Sequence, residues 1–472
     1  MEIDPSLTLS PDEMRRLGYA VVDALVEHLT DLADQPLGAT ARRPEAERLL
    51  REPLPAAGRP PLEVLERVRT DVLGHILHAD HPRFFAFVPG PGNFVGAMAD
   101  ALASGFNVFH GTWLEGSGPA QVELVTLDWL REACGLPATG GGLFVSGGSM
   151  ANITALAVAR YVRLAEEMDG AVVYCSDQTH SSIERGLRVL GFRADQLRTL
   201  PSDDAFKLDI MALEQAVRAD RAAGRVPFCV VANAGTTNTG TVDPLPQLAE
   251  FCEAHDLWLH VDGAYGAAAA LCPRGRSALA GLGRAHSLAL DPHKWLFQPF
   301  EMGCVLVRQE EWLKEAFQIL PEYLADVAPG EEEVNFCDRG IQLSRRFRAL
   351  KLWMSLQVFG GQAFAAAQTR GMALAEAVEA EVRRLPDWEV VTPAQLAVVT
   401  FRYAPPGRPV AAQDEANREL AAALREDGWA MVSTTRLRGR TVVRMCTINP
   451  RTTEADVRQT IRRLDALARR SA

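Results

Sequence analysis

The chain has 472 residues, of which 47% are hydrophobic and 23% are charged, and this globular composition excludes wholesale disorder and collagen-like repeats. Its 49 basic and 60 acidic residues give a net charge of −11, which argues against a nucleic-acid or anionic-membrane partner. No apolar run approaches the roughly 18 residues of a membrane-spanning helix, and the acidic amino terminus does not predict a secretory signal.

The cysteine pattern predicts reduced thiols. The eight cysteines form no Cys-x-x-Cys pair, and most lie in apolar surroundings such as Phe228-Cys229-Val230. In a chain of this length we therefore expect a cytoplasmic protein with no disulfide framework and no metal site.

Residues 1–80 form the first predicted region. Ser10, Pro11 and Glu13 are typical of a helix start, with Ser10 as the N-cap. The helix that follows carries an apolar face, and residues 44–61 are rich in proline and arginine, which predicts an extended crossing. This arrangement favours packing of residues 1–80 onto a second subunit.

Residues 81–350 form a large α/β domain in this prediction, because short apolar strands alternate with helices. A buried, mostly parallel sheet with helices on both faces fits this alternation, and ligands bind such sheets at the carboxyl ends of the strands. The predicted strands span residues 142–145, 171–175, 228–232, 257–261, 287–290 and 302–308.

Residues 351–472 form a smaller α+β domain in this prediction. A long helix over residues 345–382, broken near Gly360 and Gly361, leads into it. The other predicted elements are strands at 388–391, 397–402 and 441–447 and a helix at 415–426.

Two polar residues at predicted strand ends point to a carbonyl cofactor. Lys294 follows strand 287–290, where apolar surroundings should lower the pKa of its amine and make it a nucleophile. Asp262 follows strand 257–261. Alone, the lysine reads as a solvated loop residue and the aspartate as a turn residue, but together they suit pyridoxal phosphate, whose aldehyde binds an amine and whose ring nitrogen needs an acid.

Further polar groups follow neighbouring strands. Ser146-Gly147-Gly148-Ser149 joins a strand to a helix, and its amides and hydroxyls suit a phosphate, although such turns are common. His180 can lie flat on an aromatic ring or simply be a hydrogen-bonded loop histidine. Gly235-Thr236-Thr237 offers hydroxyls at the same edge.

Together these motifs resemble the group II pyridoxal-phosphate-dependent amino-acid decarboxylases, in particular the aromatic L-amino-acid decarboxylase branch. The matching stretches occur in the family's order over about residues 10 to 460. They are residues 81–87, 146–152, 174–182, 235–237, 260–265, 292–295 and 345–348.

The resemblance implies the aspartate-aminotransferase-like fold (fold type I), a homodimer and an active site near the subunit interface. It implies Lys294 as the Schiff-base lysine, Asp262 as the partner of the ring nitrogen, and His180 stacked on the ring and facing the substrate carboxylate. The remaining implied cofactor contacts are Gly148, Ser149 and His293 at the phosphate, and Thr237 and Ala264 in the pocket.

Tyr323 matches the tyrosine of the family's mobile loop, which is taken to protonate the α-carbon after carbon dioxide leaves. Similar enzymes with phenylalanine there tend to release an aldehyde. The predicted substrate contacts are His81, Phe84, Phe87, Pro89 and Trp113. The aromatic residues among them offer wall material for a substrate or are plain core residues, which is the commoner case for such side chains.

Three positions depart from the animal aromatic decarboxylases that this chain resembles. Ala79 replaces a tryptophan, Gly90 a threonine and Asp291 an asparagine, and the first two weaken the expectation of a catechol substrate. The predicted activity is decarboxylation of an aromatic L-amino acid to its amine. The alternatives are an oxygen-consuming aldehyde synthase, an aminotransferase of the same fold, and a non-catalytic binding protein.

Overall fold

The computed structural model describes residues 6–165, 167–319, 330 and 332–470. The chain begins with three helices, α1 (Pro11–Asp31), α2 (Arg43–Leu50) and α3 (Pro61–Arg67). The predicted capping box of α1 is confirmed, since Ser10 and Glu13 bond each other's backbone amides. The extended crossing over residues 44–61 was wrong in part, because Pro44 occupies the first turn of α2, where its missing N–H costs nothing.

Seven strands form the central sheet, in the order β1-β7-β6-β5-β4-β2-β3. Only β7 among these strands runs against its neighbours, so the prediction of a mostly parallel sheet is confirmed. The strands are β1 (Gly141–Val145), β2 (Ala171–Ser176), β3 (Leu197–Leu200), β4 (Val226–Asn233), β5 (Trp258–Asp262), β6 (Ser287–Leu290) and β7 (Gly303–Val307).

Helices cover the sheet, and small residues let the central one approach closely. On α6, Ala151, Ala155 and Ala159 are fully buried, so the helix backbone lies near the strands. The helices of this region are α4 (Phe94–Gly105), α5 (Trp113–Ala133), α6 (Gly148–Leu164), α7 (Ser182–Val189), α8 (Ile210–Ala222), α9 (Leu245–Ala254), α10 (Pro273–Ala278), α11 (Pro292–Trp295) and α12 (Glu311–Phe317).

The predicted break at Gly360 is confirmed. It separates α13 (Ala349–Phe359) from α14 (Gly361–Val382), and Gly360 has a φ of +77°, which a glycine adopts without strain. α13 begins at Ala349 rather than at the predicted residue 345.

The C-terminal region is built on an antiparallel sheet in the order β10-β11-β9-β8. Its elements are β8 (Trp388–Gln395), β9 (Val398–Tyr403), α15 (Val410–Glu426), β10 (Ser433–Leu437), β11 (Arg440–Cys446) and α16 (Glu454–Arg470). Phe85 is fully buried in the core of this region, where its amide donates to the Met431 carbonyl and its carbonyl accepts from the Cys446 amide. The stretch directly after residue 80 therefore packs on the C-terminal sheet.

Candidate active site

A cavity of about 340 Å³ lies at the carboxyl edge of the central sheet, lined by segments that follow β1, β2, β4, β5 and β6. The structure brings together here every described residue that the sequence predicts as a cofactor contact. These are Gly148, Ser149, His180, Thr237, Asp262, Ala264, His293 and Lys294. Tyr323 lies outside the described residues.

Lys294 lies on the short helix α11, and its Nζ is 2.8 Å from Asp291 Oδ2. Burial lowers the pKa of this amine, but the Asp291 carboxylate and the charge of Asp262 outweigh it, so the pKa is raised above its ordinary value. The expected lowering was therefore wrong for the protein without cofactor. The cause is Asp291, whose buried side chain follows β6 and turns toward the lysine.

Asp262 is the last residue of β5 and is held by two donors. Its Oδ1 accepts the backbone N–H of Ala264 at 3.1 Å, and its Oδ2 accepts the Asn152 side-chain amide at 3.0 Å. The carboxylate is 7% exposed and faces the same cavity as Lys294. Two N–H donors stabilise a carboxylate in its charged form, which is the form that holds a proton on a basic ring nitrogen.

His180 lies in the loop that links β2 to α7. Its Nδ1 accepts the backbone N–H of Ser182 at 3.2 Å and lies 2.9 Å from the Ser182 hydroxyl. Burial, opposed by the charge of Asp262, lowers the pKa of the imidazole. The ring is therefore neutral near pH 7 and oriented by its neighbour.

The Ser146–Ser149 segment passes close to other parts of the cavity wall. A Cβ on Gly148 would lie 2.7 Å from Asp291 Oδ2 and 2.9 Å from the Ala264 Cβ, and a Cβ on Gly303 would lie 2.5 Å from the Gly147 Cα. No side chain of the described residues caps the first turn of α6. Its backbone N–H groups are thus oriented toward the cavity end, where an anion is stabilised.

His293 completes this wall. Its Nδ1 accepts the backbone N–H of Met302 at 3.2 Å, and burial lowers the pKa of the imidazole. Its ring centroid is 4.9 Å from that of Phe300, whose side chain is 60% exposed.

None of the five predicted substrate contacts lines the cavity within the described chain. His81 is fully buried, with one ring nitrogen at the Gln35 carbonyl and the other at the Arg83 amide, and Phe84 packs in a small core with Leu37. Phe87 is exposed, Pro89 is buried, and Trp113 packs on the main core. Their contact with the substrate stays a prediction, and the burial of His81 and Phe84 argues against it for those two.

Sequence reasoning did not assign a role to several polar residues of the cavity, chiefly Asn152, Ser182, Asn233 and Asp291. Asn233 could have been found, since it ends β4 and pairs in register with Asp262 on β5. Asn152 could also have been found, because it lies one helical turn after Gly148 and therefore on the same face of α6.

A second group of titratable side chains lies away from this cavity. His28 Nε2 on α1 is 3.0 Å from Asp80 Oδ2, and one ligand-type atom of each of His28, His78 and Asp80 lies within 4.8 Å of the others. The charge of Arg451 also acts on Asp80. We interpret the group as an ion pair that attaches α1 to the segment directly before residue 81.

Comparison with known proteins places the chain. The pyridoxal-dependent decarboxylase conserved domain matches residues 44–404. The chain belongs to the pyridoxal-dependent decarboxylase family. An aromatic-L-amino-acid decarboxylase of Bacillus atrophaeus is 49% identical over 98% of this chain and 97% of that protein. A tyrosine decarboxylase of Oryza sativa subsp. japonica is 37% identical over 86% of this chain and 79% of its own length.

Solved structures of the family share the fold. A structure of Oryza sativa TDC with PLP and tryptamine covers all of this chain at a TM-score of 0.93 and 30% identity, and its own chain is covered in full. The predicted fold type I and the predicted family are confirmed, and the chain is a carboxy-lyase. No helix within the described ranges is long and apolar enough to cross a bilayer.

Pyridoxal phosphate is the cofactor of this decarboxylase, and the donor set of the cavity fits it. A primary amine and a carboxylate face the same space, as an aldehyde and a ring nitrogen require. The glycines of the Ser146–Ser149 segment let its backbone approach the cavity wall closely, and the uncapped amides of α6 and the Ser149 hydroxyl beside it suit a phosphate.

Proposed function

We propose that this decarboxylase converts an aromatic L-amino acid to the corresponding amine and carbon dioxide. The observation that carries the proposal is the meeting of Lys294, Asp262 and His180 in one cavity. The aromatic-L-amino-acid decarboxylase among the relatives of the chain supports the substrate class.

Each side chain has a defined task in this proposal. Bound pyridoxal phosphate supplies the sink for the electron pair that the departing carboxylate leaves on the α-carbon. Lys294 Nζ would bind the aldehyde, Asp262 would hold a proton at the ring nitrogen, and the His180 imidazole would lie over one face of the ring. The phosphate contacts in this proposal are Gly148, Ser149 and His293, with Thr237 and Ala264 along the pocket wall.

The aromatic preference has a physical basis in Phe300. This ring does not line the cavity itself but lies against His293, which does, and Phe300 is 60% exposed, so its ring can contact another flat apolar group. Gly90 makes the position of the ring possible, since a Cβ there would lie 2.6 Å from Phe300 Cζ. A threonine at residue 90 would displace the ring.

A panel of L-amino acids, assayed for amine and carbon dioxide, tests the proposal. We expect equal amounts of both products from aromatic substrates, no turnover by Lys294→Ala, and a rise in KM for aromatic substrates in Phe300→Ala. Turnover confined to acidic or aliphatic amino acids would contradict the substrate class.

The same assay separates the alternatives. Aldehyde, ammonia and peroxide in place of amine would indicate an aldehyde synthase, and amino transfer to a keto acid would indicate an aminotransferase. If Tyr323 protonates the α-carbon, Tyr323→Phe shifts the products toward aldehyde. An unchanged product ratio would contradict that role.

We also propose that the protein is a homodimer in which residues 1–80 contact the partner subunit. No residue of α1, which the structure describes in full, is buried, and Met14, Tyr19 and Val26 are each about half exposed or more. Apolar surface of this extent on a helix is typical of an interface. Sedimentation should give twice the chain mass of 51.5 kDa, and Tyr19→Glu should shift the mass toward that of one chain.

We propose a cytoplasmic location. All eight cysteines lie within the described residues as free thiols, and all but Cys337 are buried. Burial raises the pKa of Cys134 to about 12, so its thiol is inert near neutral pH. Fractionation of the native host with a thiol-labelling assay checks the location, and recovery from an oxidising compartment would contradict it.

A further inference from the structure

A series of hydrogen bonds, buried except at its His180 end, runs behind the cavity from Trp258 on β5 to His180. Trp258 Nε1 lies 2.8 Å from Ser287 Oγ, which lies 2.9 Å from His260 Nδ1. His260 Nε2 lies 2.9 Å from Asn152 Oδ1, Asn152 Nδ2 lies 2.9 Å from Ser182 Oγ, and this hydroxyl lies 2.9 Å from His180 Nδ1. A branch of 3.0 Å joins Asn152 Nδ2 to Asp262.

Asn152, in the middle of the series of hydrogen bonds, determines which groups donate and which accept. An ionised carboxylate only accepts hydrogen bonds, so the group of Asn152 that faces Asp262 is the amide nitrogen. The amide oxygen therefore faces His260, and His260 Nε2 must carry a proton. Burial lowers the pKa of His260 to about 4, so its Nδ1 holds a lone pair near pH 7.

The first hydrogen bonds of the series, at Trp258 and Ser287, agree with this assignment of donors and acceptors. The indole Nε1 of Trp258 can only donate, and it donates to Ser287 Oγ. The single hydroxyl proton of Ser287 is then available for His260 Nδ1, which needs a donor. Each of these atoms thus has a hydrogen-bond partner, and no two protons face each other.

The last hydrogen bonds of the series determine the tautomer of His180. The backbone N–H of Ser182 can only donate, and it points at His180 Nδ1 from 3.2 Å. The Ser182 hydroxyl accepts from Asn152 and so has its own proton free for the same nitrogen. Nδ1 is therefore an acceptor, and the proton of the neutral ring lies on Nε2.

We propose that Asn152 is a positioning residue that orients two cavity groups at once, the Asp262 carboxylate directly and the Nε2–H form of His180 through Ser182. The proposal rests on the proposed function only in taking the cavity as the cofactor site. A neutral histidine in this form presents a donor, rather than a lone pair, to an anionic group such as a substrate carboxylate. The same amide group keeps the Asp262 carboxylate turned toward the ring nitrogen.

The tautomer is tested without turnover, by 15N NMR of the histidine rings in the cofactor-free protein. His180→Gln assigns the His180 signals. We expect Nε2 protonated and Nδ1 unprotonated near pH 7.5. A ring protonated at Nδ1 would overturn this part of the proposal, whether or not the protein is a decarboxylase.

Two variants separate the two contacts of Asn152. In the holoenzyme, Asn152→Ala should weaken pyridoxal phosphate binding by roughly tenfold and change the visible circular dichroism of the bound cofactor, because Asp262 loses a donor. Ser182→Ala removes the hydroxyl that joins Asn152 to His180 and leaves the Asn152–Asp262 contact in place, so it should keep cofactor affinity within about twofold while raising KM or lowering kcat. Wild-type affinity and dichroism in Asn152→Ala would overturn the proposal.

A matched control lies on the same helix. Thr154 is buried on α6, its hydroxyl donates to the Met150 carbonyl, and it does not line the cavity, so Thr154→Val should leave cofactor affinity and dichroism unchanged. Should Asn152→Ala fold poorly, Asn152→Ser, which keeps a donor for Asp262, should recover part of the affinity. Loss of affinity equal to that of Asn152→Ala would contradict a role through hydrogen bonding.

Discussion

Lys294 and Asp291 form an ion pair of 2.8 Å in which the pKa of the lysine is raised, whereas Lys351 and Asp100 form a pair of the same length in which it is lowered. Burial lowers the pKa in both pairs. Asp262 adds a second negative charge near Lys294, and Arg346 adds a positive charge near Lys351. The active-site amine is thus charged until a reaction partner displaces its contact with Asp291.

Asp291→Asn should lower the pKa of Lys294, because burial then acts with less opposing charge. Since only the neutral amine attacks an aldehyde, the rate of pyridoxal phosphate recombination should reach its midpoint at a lower pH than in the wild type. Stopped-flow absorbance between pH 7 and 11 measures this midpoint. Asp100→Asn, in the other pair, is the control and should leave it in place; an unmoved midpoint in Asp291→Asn would refute the role of the charge.

Gly148→Ala should weaken cofactor binding by roughly tenfold or more. The new Cβ would contact Asp291 Oδ2 and the Ala264 Cβ, and two such short contacts force the Ser146–Ser149 segment to shift. Fluorescence titration with pyridoxal phosphate measures the loss. Gly118→Ala places its Cβ in open space and should bind the cofactor like the wild type; equal affinity of the two variants would show that the close approach is unimportant.

The His28–Asp80 pair should stabilise the fold most between about pH 4 and pH 6.5. The hydrogen bond to Asp80 raises the pKa of His28. The stability that His28 contributes is therefore complete below pH 6.5 and is lost as the pH rises through the raised pKa. Burial raises the pKa of Asp80, but the contact with His28 outweighs burial and lowers it. The stability that Asp80 contributes is therefore present above pH 3.8 and is lost as the pH falls through the lowered pKa.

A double-mutant cycle with His28→Gln and Asp80→Asn measures this pair by urea unfolding. Because both side chains are partly exposed, we expect a coupling of up to about 1 kcal/mol at pH 5.5 and a smaller one at pH 8.5. A coupling that grows with pH would contradict the assignment.

Glu123→Gln should destabilise the protein by about 3–5 kcal/mol, because it leaves the buried Arg345 guanidinium without its counter-charge. Glu123 is fully buried, with Oε1 2.6 Å from Arg345 Nη2 and Oε2 2.5 Å from His110 Nε2. Burial raises the pKa of Glu123, but these two partners outweigh it and bring the pKa down to about 2.

Urea unfolding at pH 7 measures the loss of stability. The control is Glu184→Gln in the exposed Glu184–Arg188 pair, which should change stability by less than about 0.5 kcal/mol. In the wild type the contribution of Glu123 is present above pH 4.5 and is lost as the pH falls through 2. A loss below about 1 kcal/mol would show that Arg345 finds other partners.

The sequence predicted the strands that carry the site because their signals are local. β6 begins and ends where its apolar run predicts, and Asp262 ends β5 and Lys294 follows β6 at the shared edge. β3 was missed because this edge strand is only half buried and carries Arg198, so it lacks the continuous apolar run of the other strands.

Side-chain orientation could not be predicted in the same way. Asp291 was noted only as a departure from the resembling enzymes, yet its carboxylate is the chief group that raises the pKa of Lys294 against the effect of burial. Asn152 and His260 act through contacts between residues more than 100 positions apart, which no local pattern records. The substrate contacts depended on resemblance alone, and the structure buries His81 and Phe84 away from the cavity.

The position of Phe85 has a consequence for biosynthesis. This residue is translated 346 positions before Met431 and 361 positions before Cys446, its two backbone partners. Closing so long a loop slows folding, and the apolar ring must stay exposed or be shielded by a chaperone until then. A separately expressed fragment of residues 351–472 would contain a hole in its core where this ring belongs.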